Sequence, residues 1–436
     1  MKPISVGLVG LGTVAQGTLH VLANNREELT RRIGREIEVT HVGARRDRDG
    51  VDLSGIRVSR DLMAVATDPE VDVFVELIGG TDYARELIEA AIASGKHVVT
   101  ANKALIAEHG NQLFEKAQAA GVTIAFEAAV AGGIPVIKAI REGLAANQIQ
   151  WLAGIINGTG NFILTAMRED GRAFDDVLAE AQALGYAEAD PTFDVEGIDA
   201  AHKLAILASI AFGIPLNFGS VYTQGISAMD LDDIDFAEEL GYRIKHLGIA
   251  RRTADGVELR VHPTLIADTE LLANVNGVMN AVQIYGDAVG STLLNGPGAG
   301  SLPTASAVVA DLVDVARALT VDPTNRVPHL AFQPNHLNDL PILPIEATQC
   351  PFYVRLMVRD EVGVLADITR VLADHRVSLE SVIQKEGVEG EAVALILLTH
   401  TVVERDLQAA LAKISASASV VGEPVVLRVE TLGGVL

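Results

Sequence analysis

The sequence predicts an α/β fold with a parallel, doubly wound sheet at its N-terminal end, an α+β module in the middle and a smaller βαββαβ module at the C-terminal end. Three observations predict it. Short apolar runs alternate with helix-length segments through the first 120 residues, the pattern of parallel strands joined by crossover helices. The first run, ISVGLV (4–9), opens directly onto GLGTVAQG. After a proline-rich stretch, the order strand, helix, strand, strand, helix, strand then restarts from 352 to 430, a ferredoxin-like plan.

With 436 residues the chain is long enough for two or three domains, each with its own core, and 49% hydrophobic content argues for packed globular modules. A formal charge of -23 argues against nucleic acid and anionic membrane as partners. No apolar run reaches the length of a membrane span, and MKPISVGLVG runs into a strand without a cleavage-site pattern, so a cytoplasmic protein is expected. The single cysteine, Cys350, excludes an intrachain disulfide, and the 11 histidines lack the spacing of transition-metal ligands.

Within GLGTVAQG, Gly10, Gly12 and Ala15 match the G-x-G-x-x-G/A dinucleotide-binding fingerprint, and Thr13 and Val14 open the helix that follows. Gly12 lets the backbone approach a pyrophosphate, and the small Ala15 permits close packing of helix on strand. A second strand, IEVTHVGARR, ends on Arg45 and Arg46 where an acid would hold the ribose hydroxyls of NAD. A guanidinium there suits a 2′-phosphate, so NADP is favoured over NAD. Further units follow: strand VDVFVELIGG (71–80), helix TDYARELIEAAIASG, strand HVVT, and a helix from about 105 to 120. Asn102 and Lys103 stand just after HVVT, at the strand edge that lines the ligand crevice of such a sheet. A strand over VTIAFEAAV then leads through Gly132, Gly133 and Pro135 into another helix.

The stretch GYAEADPTFDVEGIDAAHKLAIL (185–207) gathers five carboxylates and a lysine before turning apolar. Pro191 and Gly197 discourage a continuous helix, so a helix is expected from about Ile198, with Asp199 and Lys203 as i, i+4 partners. A lysine in the first turn of a buried helix loses solvent and faces the positive dipole end. Both effects disfavour its charged form and make it a candidate proton donor.

The segments TANKALIA, FEAAVAGGIP, GIINGTGNFIL, GYAEADPTFDVEGIDAAHKLAIL and GPGAGSLPTASAVVADL, in this order behind GLGTVAQG, closely resemble the homoserine dehydrogenases over residues 4 to 320. The resemblance implies reduction of L-aspartate 4-semialdehyde to L-homoserine with NAD(P)H, in the route to threonine, methionine and isoleucine. It implies Lys203 as proton donor to the forming alkoxide, Lys103 as a second active-site lysine near the nicotinamide, and Asp199, Glu188 and Asp194 as carboxylates of the substrate site, with Glu188 suited to the substrate ammonium. Gly185 and Gly300 match positions that approach the cofactor beside Gly10, Gly12, Thr13, Val14, Arg45 and Lys103. The segment from Glu127 to Ile134 resembles the family's monovalent-cation site, for Na or K, built from a carboxylate and backbone carbonyls at Glu127, Val130, Gly132 and Ile134; oxygen-only ligation suits a hard alkali cation. Ala15 and Phe162 depart from the residues most often found at their positions.

The implied domains are a Rossmann-type NAD(P)-binding domain over 1–128, a catalytic and dimerisation domain over 129–320 whose last helix (303–319) returns to the first domain, a proline-rich semi-rigid linker over 321–350, and a regulatory module over 351–436. In that module VRDEVGVLADIT resembles the opening of ACT domains, with Val362 in place of their usual proline. The resemblance implies L-threonine as effector, held around Asp360, Gly363, Val364 and Leu365, and a homodimer or homotetramer. An oligomerisation module without ligand is the other reading.

Rival functions remain open at this level: another NADP-dependent reductase of a small amino acid or oxo acid, and a non-catalytic amino-acid sensor on a dinucleotide fold. A semialdehyde dehydrogenase acting through a thiohemiacetal needs a cysteine in the site, and Cys350 lies in the linker instead.

Overall fold

A computed structural model of the protein describes residues 2–46, 48, 50–384 and 392–432. The chain divides into two compact units, each drawn from separated stretches. Met1–Gly158, Asp199–Val221 and Val278–Leu340 form the first unit, and Thr159–Ile198, Tyr222–Gly277 and Pro341–Leu436 the second. These units cut across the domain ranges expected from sequence, because the chain leaves and rejoins each of them.

In the first unit, strands β1 (Ile4–Val9), β2 (Ile37–Gly43), β3 (Arg57–Ser59), β4 (Val73–Glu76), β5 (His97–Thr100) and β6 (Ile124–Ala125) make one sheet in the order β3-β2-β1-β4-β5-β6. Neighbours run parallel throughout. That is the doubly wound dinucleotide-binding order. Every residue of β1, β4 and β5 is buried, which is why these strands are mostly apolar, with Ser5, Glu76, His97 and Thr100 as buried polar exceptions.

The helix Ser301–Ala318 packs against the helix Thr13–Asn24 and adds Val308, Leu312 and Val315 to the core formed by Val6, Leu8 and Val75. The two helices touch at Gly17, where a Cβ would lie 2.6 Å from the Ser301 carbonyl oxygen. Ala15 is fully buried, as its expected packing role requires.

The strand expected over VTIAFEAAV shrinks to Ile124–Ala125 and gives way to a 3₁₀ turn at Glu127–Ala129. The Glu127 N–H donates to Asp311 at 2.8 Å, and the Glu127 carboxylate accepts from the N–H groups of Ile137 and Lys138, so the chain bends away from the sheet. Strand β7 (Ile149–Ile155) pairs antiparallel with Met279–Gly286, which pairs in turn with Gly290–Pro297. The helix Ile198–Phe212 is buried along nearly its whole length.

The proline-rich stretch is packed rather than free. Asn338 donates through its backbone N–H to the Gly213 carbonyl at 2.6 Å and through its side chain to the Phe212 carbonyl. His329 Nε2 accepts from the Ile124 N–H at 3.0 Å, and burial lowers this imidazole to about 3, which keeps it an acceptor. The residues through Leu340 belong to the first unit and those from Pro341 to the second.

In the second unit, Tyr242–Arg252 and Val257–Ala267 form an antiparallel hairpin. Val257–Ala267 also pairs in parallel with Val425–Glu430, and the sheet continues through Phe352–Arg359 and Ala392–Thr399 to Leu379–Gln384. The last four strands, with helices Val364–Asp374 and Glu404–Ser415, are the ferredoxin-like module, so it shares its sheet with the hairpin. The sequence predicts strands over SLESVIQKE (378–386) and EAVALILLTH (391–400), of which residues 385, 386 and 391 lie outside the described residues. A buried ionic cluster sits where hairpin and module meet: Arg260 binds Glu258 and Glu430, and Arg428 binds Glu404.

Candidate active site

The C-terminal edge of the parallel sheet carries a cavity of about 590 Å³ lined by Gly10, Gly12, Arg45, Arg46, Gly79 and Gly80, among others. Gly10 holds φ +97, and a Cβ there would lie 2.5 Å from the Leu77 carbonyl oxygen, so this position requires glycine. Gly12 differs: a Cβ there would meet nothing within 4 Å. Its backbone therefore faces open space at the start of the helix Thr13–Asn24, where unpaired N–H groups and the helix dipole suit a pyrophosphate.

Thr13 and Val14 form the first turn of that helix, and the Thr13 carbonyl accepts from the Ser301 hydroxyl at 2.9 Å. That bond brings Gly300, at φ +117 just before Ser301, beside the glycine turn. Arg45 is exposed, with its guanidinium 5.7 Å from the centre of the Tyr83 ring. Arg48, three residues beyond Arg45, also lines the cavity.

Lys103 is the first residue of the helix Lys103–Ala119, whose N-cap Asn102 accepts from the Leu105 N–H. Its Nζ lies 3.1 Å from Oδ1 of Asp199. The other oxygen of Asp199 accepts from Lys203 Nζ at 2.7 Å and from the Asn157 side chain at 2.9 Å. Lys203 also donates to the Ile156 carbonyl at 2.7 Å. Burial alone would raise the Asp199 carboxyl, but the ammoniums of Lys203 and Lys103 override it and hold the group well below the usual carboxylate range.

The expected i, i+4 pair is therefore present, with two differences. Lys203 is the sixth residue of its helix rather than part of its first turn, so the dipole end acts on Asp199 and not on the lysine. Asp199 was expected among the substrate carboxylates; it is buried, and both its oxygens are directed at lysines and an amide.

Asn157 and the Ile156 carbonyl were not read as site groups. Their signal was the NGT turn placed directly after a buried strand. His202, buried beside Lys203, stacks on Phe218 with ring centres 4.0 Å apart and lies 3.5 Å from Glu108. Burial lowers its imidazole below the ordinary value, against Glu108 and Asp199.

Gly185, Glu188 and Asp194 belong to the second unit, whereas Lys103, Asp199 and Lys203 belong to the first. Gly185 is exposed at φ +76, and Glu188 is exposed with its carbonyl accepting from Gln182. Asp194 lies half-buried in the short helix Thr192–Val195. The Thr159 hydroxyl donates to the Tyr186 carbonyl at 2.7 Å and fixes this segment to the helix Gly158–Asp170. Asp190 accepts from the Thr192 N–H at 3.1 Å, which shapes the turn before the short helix.

In the cation segment, each Glu127 carboxylate oxygen already accepts a backbone N–H. Burial raises this carboxyl to about 7. The resemblance implies a carboxylate and backbone carbonyls at Glu127, Val130, Gly132 and Ile134, and the Glu127 carbonyl also accepts from the Val130 N–H at 3.3 Å. Among the described residues no group of three or more His, Cys, Asp or Glu could hold a metal ion.

Residues 10–127 match the family profile "Homoserine dehydrogenase, NAD binding domain", residues 135–313 match "Homoserine dehydrogenase", and residues 352–418 match "ACT domain". Over 433 residues the chain is 63% identical to a homoserine dehydrogenase of Pseudomonas aeruginosa, covering 99% of this chain and 100% of that one. The chain belongs to the homoserine dehydrogenase family. It is an oxidoreductase with a nicotinamide-nucleotide domain and a C-terminal ACT domain.

The crystal structure of a homoserine dehydrogenase from Thiobacillus denitrificans superposes with a TM-score of 0.95 at 61% identity, covering 99% of both chains. A hyperthermophilic archaeal homoserine dehydrogenase in complex with NADPH matches 72% of this chain and 98% of its own, at 27% identity and a TM-score of 0.61. Cys350 fits this family rather than thiohemiacetal chemistry. Burial, with Glu430 adding, pushes its thiol up to about 12, so it is no nucleophile. Among the described residues no helix is long and apolar enough to cross a membrane.

Proposed function

We propose that the chain reduces L-aspartate 4-semialdehyde to L-homoserine with NADPH, using Lys203 as proton donor. The observation that carries this reading is the pair of ammoniums, Lys103 and Lys203, held by one buried carboxylate beside the nucleotide edge of the sheet. The bound nicotinamide supplies the hydride.

Hydride addition to an aldehyde builds negative charge on oxygen, and positioned ammoniums stabilise it. Lys203 places two of its three protons on Asp199 and Ile156, and the third is free to pass to the alkoxide. Asp199 fixes the reach of both lysines, and Lys103 adds a second positive charge.

NADP is preferred on the strength of Arg45, with Arg46 and Arg48 on the same cavity wall. The relative that binds NADPH supports the same choice. The open backbone at Gly12, together with Gly10, Thr13, Val14 and Gly300, holds the remainder of the nucleotide. We assign the functional domains as 1–128, 129–320, 321–350 and 351–436. An alkali cation would bind through the carbonyls of the Glu127 to Ile134 segment.

Threonine is the proposed effector, at the loop from Asp360 to Leu365. Gly363 stands there at φ +101 before the helix Val364–Asp374, and Gln384 reaches Asp360. Homodimers or homotetramers are proposed because Gly290–Pro297 and Leu379–Gln384 end their strand order with open edges among the described residues. A cytoplasmic enzyme of threonine, methionine and isoleucine synthesis is the corresponding cellular role.

The test is nucleotide oxidation with aspartate semialdehyde by the parent and Lys203→Met, using NADPH and NADH in parallel and titrating threonine. The expected result is turnover with preference for NADPH, inhibition by threonine, and loss of turnover in the variant. Full activity in Lys203→Met would remove the lysine from the role of donor.

A further inference from the structure

Glu76 ends strand β4 and is completely buried, yet neither the glycine turn nor the lysine pair accounts for it. Its carboxylate meets three donors. Oε1 accepts from the N–H groups of Ile78 at 2.8 Å and Gly79 at 3.1 Å, and Oε2 accepts from the Thr100 hydroxyl at 2.6 Å. The Thr100 oxygen in turn accepts from the Asn102 N–H at 3.0 Å. Asn102 donates through its side-chain amide to the Gly80 carbonyl at 2.7 Å and caps the helix that begins at Lys103. Lys103 then reaches Asp199. One side chain is thus bonded both to the glycine loop that rims the nucleotide cavity and, through Thr100 and Asn102, to the start of the helix carrying an active-site lysine.

We propose that Glu76 is a positioning residue of the dehydrogenase reaction, which sets the 78–80 loop and the Lys103 ammonium in one fixed relation. This rests on the reading of Lys103 as an active-site group. The residue type follows from the donors: a carboxylate accepts only, with enough lone pairs for two N–H groups and a hydroxyl. A glutamine has one acceptor oxygen. If that oxygen stays on the loop, its NH₂ faces Thr100 and the threonine proton loses its acceptor. An aspartate is one methylene too short to span both sides.

The two arms separate by experiment. In the full-length enzyme, kcat, the KM for NADPH and for the aldehyde, the NADPH dissociation constant by fluorescence, and the melting temperature are measured for Thr100→Val, Thr100→Ala, Thr100→Ser, Glu76→Gln and Lys103→Ala. Thr100→Val cuts only the lysine arm, so kcat falls by about tenfold or more, since misplacing a reacting group by about 1 Å can cost ~100-fold. Its NADPH constants stay within about twofold of the parent, and Thr100→Ser restores kcat to within about twofold. Glu76→Gln disturbs both arms, lowering kcat and weakening NADPH together.

Should Thr100→Val fail to fold, Thr100→Ala cuts the same arm by removing the hydroxyl between Glu76 and the Asn102 N–H, and kcat should fall likewise. Parental kcat in the folded Thr100→Val or Thr100→Ala, or an equal loss in Thr100→Ser, overturns the proposal. Lys103→Ala keeps the two claims distinct. Parental kcat in that variant refutes the role of the lysine itself, whereas its collapse alongside an unaffected Thr100→Val refutes the positioning role alone.

Discussion

The Nζ of Lys203 lies 2.7 Å from Oδ2 of Asp199, one turn back on the same helix, and the carboxylate turns its other oxygen to Lys103 at 3.1 Å. A single buried anion therefore organises two cations. Lys203→Met should lower kcat by about 10²–10⁴, the usual worth of a positioned acid, while nucleotide affinity is kept. Asp199→Asn should lower kcat as well and also destabilise the fold by a few kcal/mol, because it leaves two ammoniums facing an amide. Steady-state kinetics with thermal melting distinguishes them: an unchanged melting temperature in Asp199→Asn would argue that the carboxylate does not hold the pair.

Arg45 bears on nucleotide choice. A charged hydrogen bond contributes about 1.5–3 kcal/mol, so Arg45→Ser should raise the KM for NADPH roughly 10- to 100-fold and leave that for NADH nearly unchanged. Equal effects on both nucleotides would move the phosphate contact to Arg46 or Arg48, which line the same cavity.

Gly10 and Gly12 should separate folding from binding. Gly10→Ala places a Cβ 2.5 Å from the Leu77 carbonyl oxygen and forces alanine to φ +97, a strain of about 1–3 kcal/mol that lowers the melting temperature. Gly12→Ala meets open space, so the nucleotide-free protein should melt as the parent does while NADPH affinity falls. Melting curves with and without NADPH read both outcomes. A Gly12→Ala variant that binds NADPH normally would mean that the pyrophosphate approaches elsewhere.

The parallel sheet was legible because β1, β4 and β5 are buried on both faces and their sequences are mostly apolar. The Asp199 and Lys203 pair was legible because helical spacing is local. What escaped depends on partners far along the chain. Strand β3 is mostly exposed and lacks an apolar pattern. The buried strand Val257–Ala267 carries Glu258, Arg260 and His262, which break its hydrophobic pattern, and the counter-charge Glu430 is supplied from the other end of the sequence. Lys245 reads as a surface lysine, yet it is buried with its ammonium on the Val275 carbonyl, Asn161 and Asn276. Glu76 looks like the polar end of a strand until its three donors are in place.

Asp311 and Glu127 make a buried acidic pair in the first unit, joined by the Glu127 N–H on Asp311 at 2.8 Å. Burial first, and then the Glu127 charge, push the Asp311 carboxyl up to about 8, while burial raises Glu127 to about 7 despite its two backbone donors and the cations Arg141 and Lys138. In the unfolded chain such groups release their protons near ~4. Between those values the folded chain binds more protons than the unfolded one, so the stability contributed by the pair is present below about pH 4 and is lost as pH rises through 7 to 8. Asp311→Asn keeps an oxygen for the Glu127 N–H and removes one titrating group. Its melting temperature should exceed that of the parent by at least about 2 °C at alkaline pH, with the advantage shrinking toward pH ~5. Comparing variant with parent cancels the opposite slope of carboxyls such as Asp199 and Glu430, which lose stability as pH falls. An advantage that stays constant across this range would show that Asp311 titrates no differently folded than unfolded.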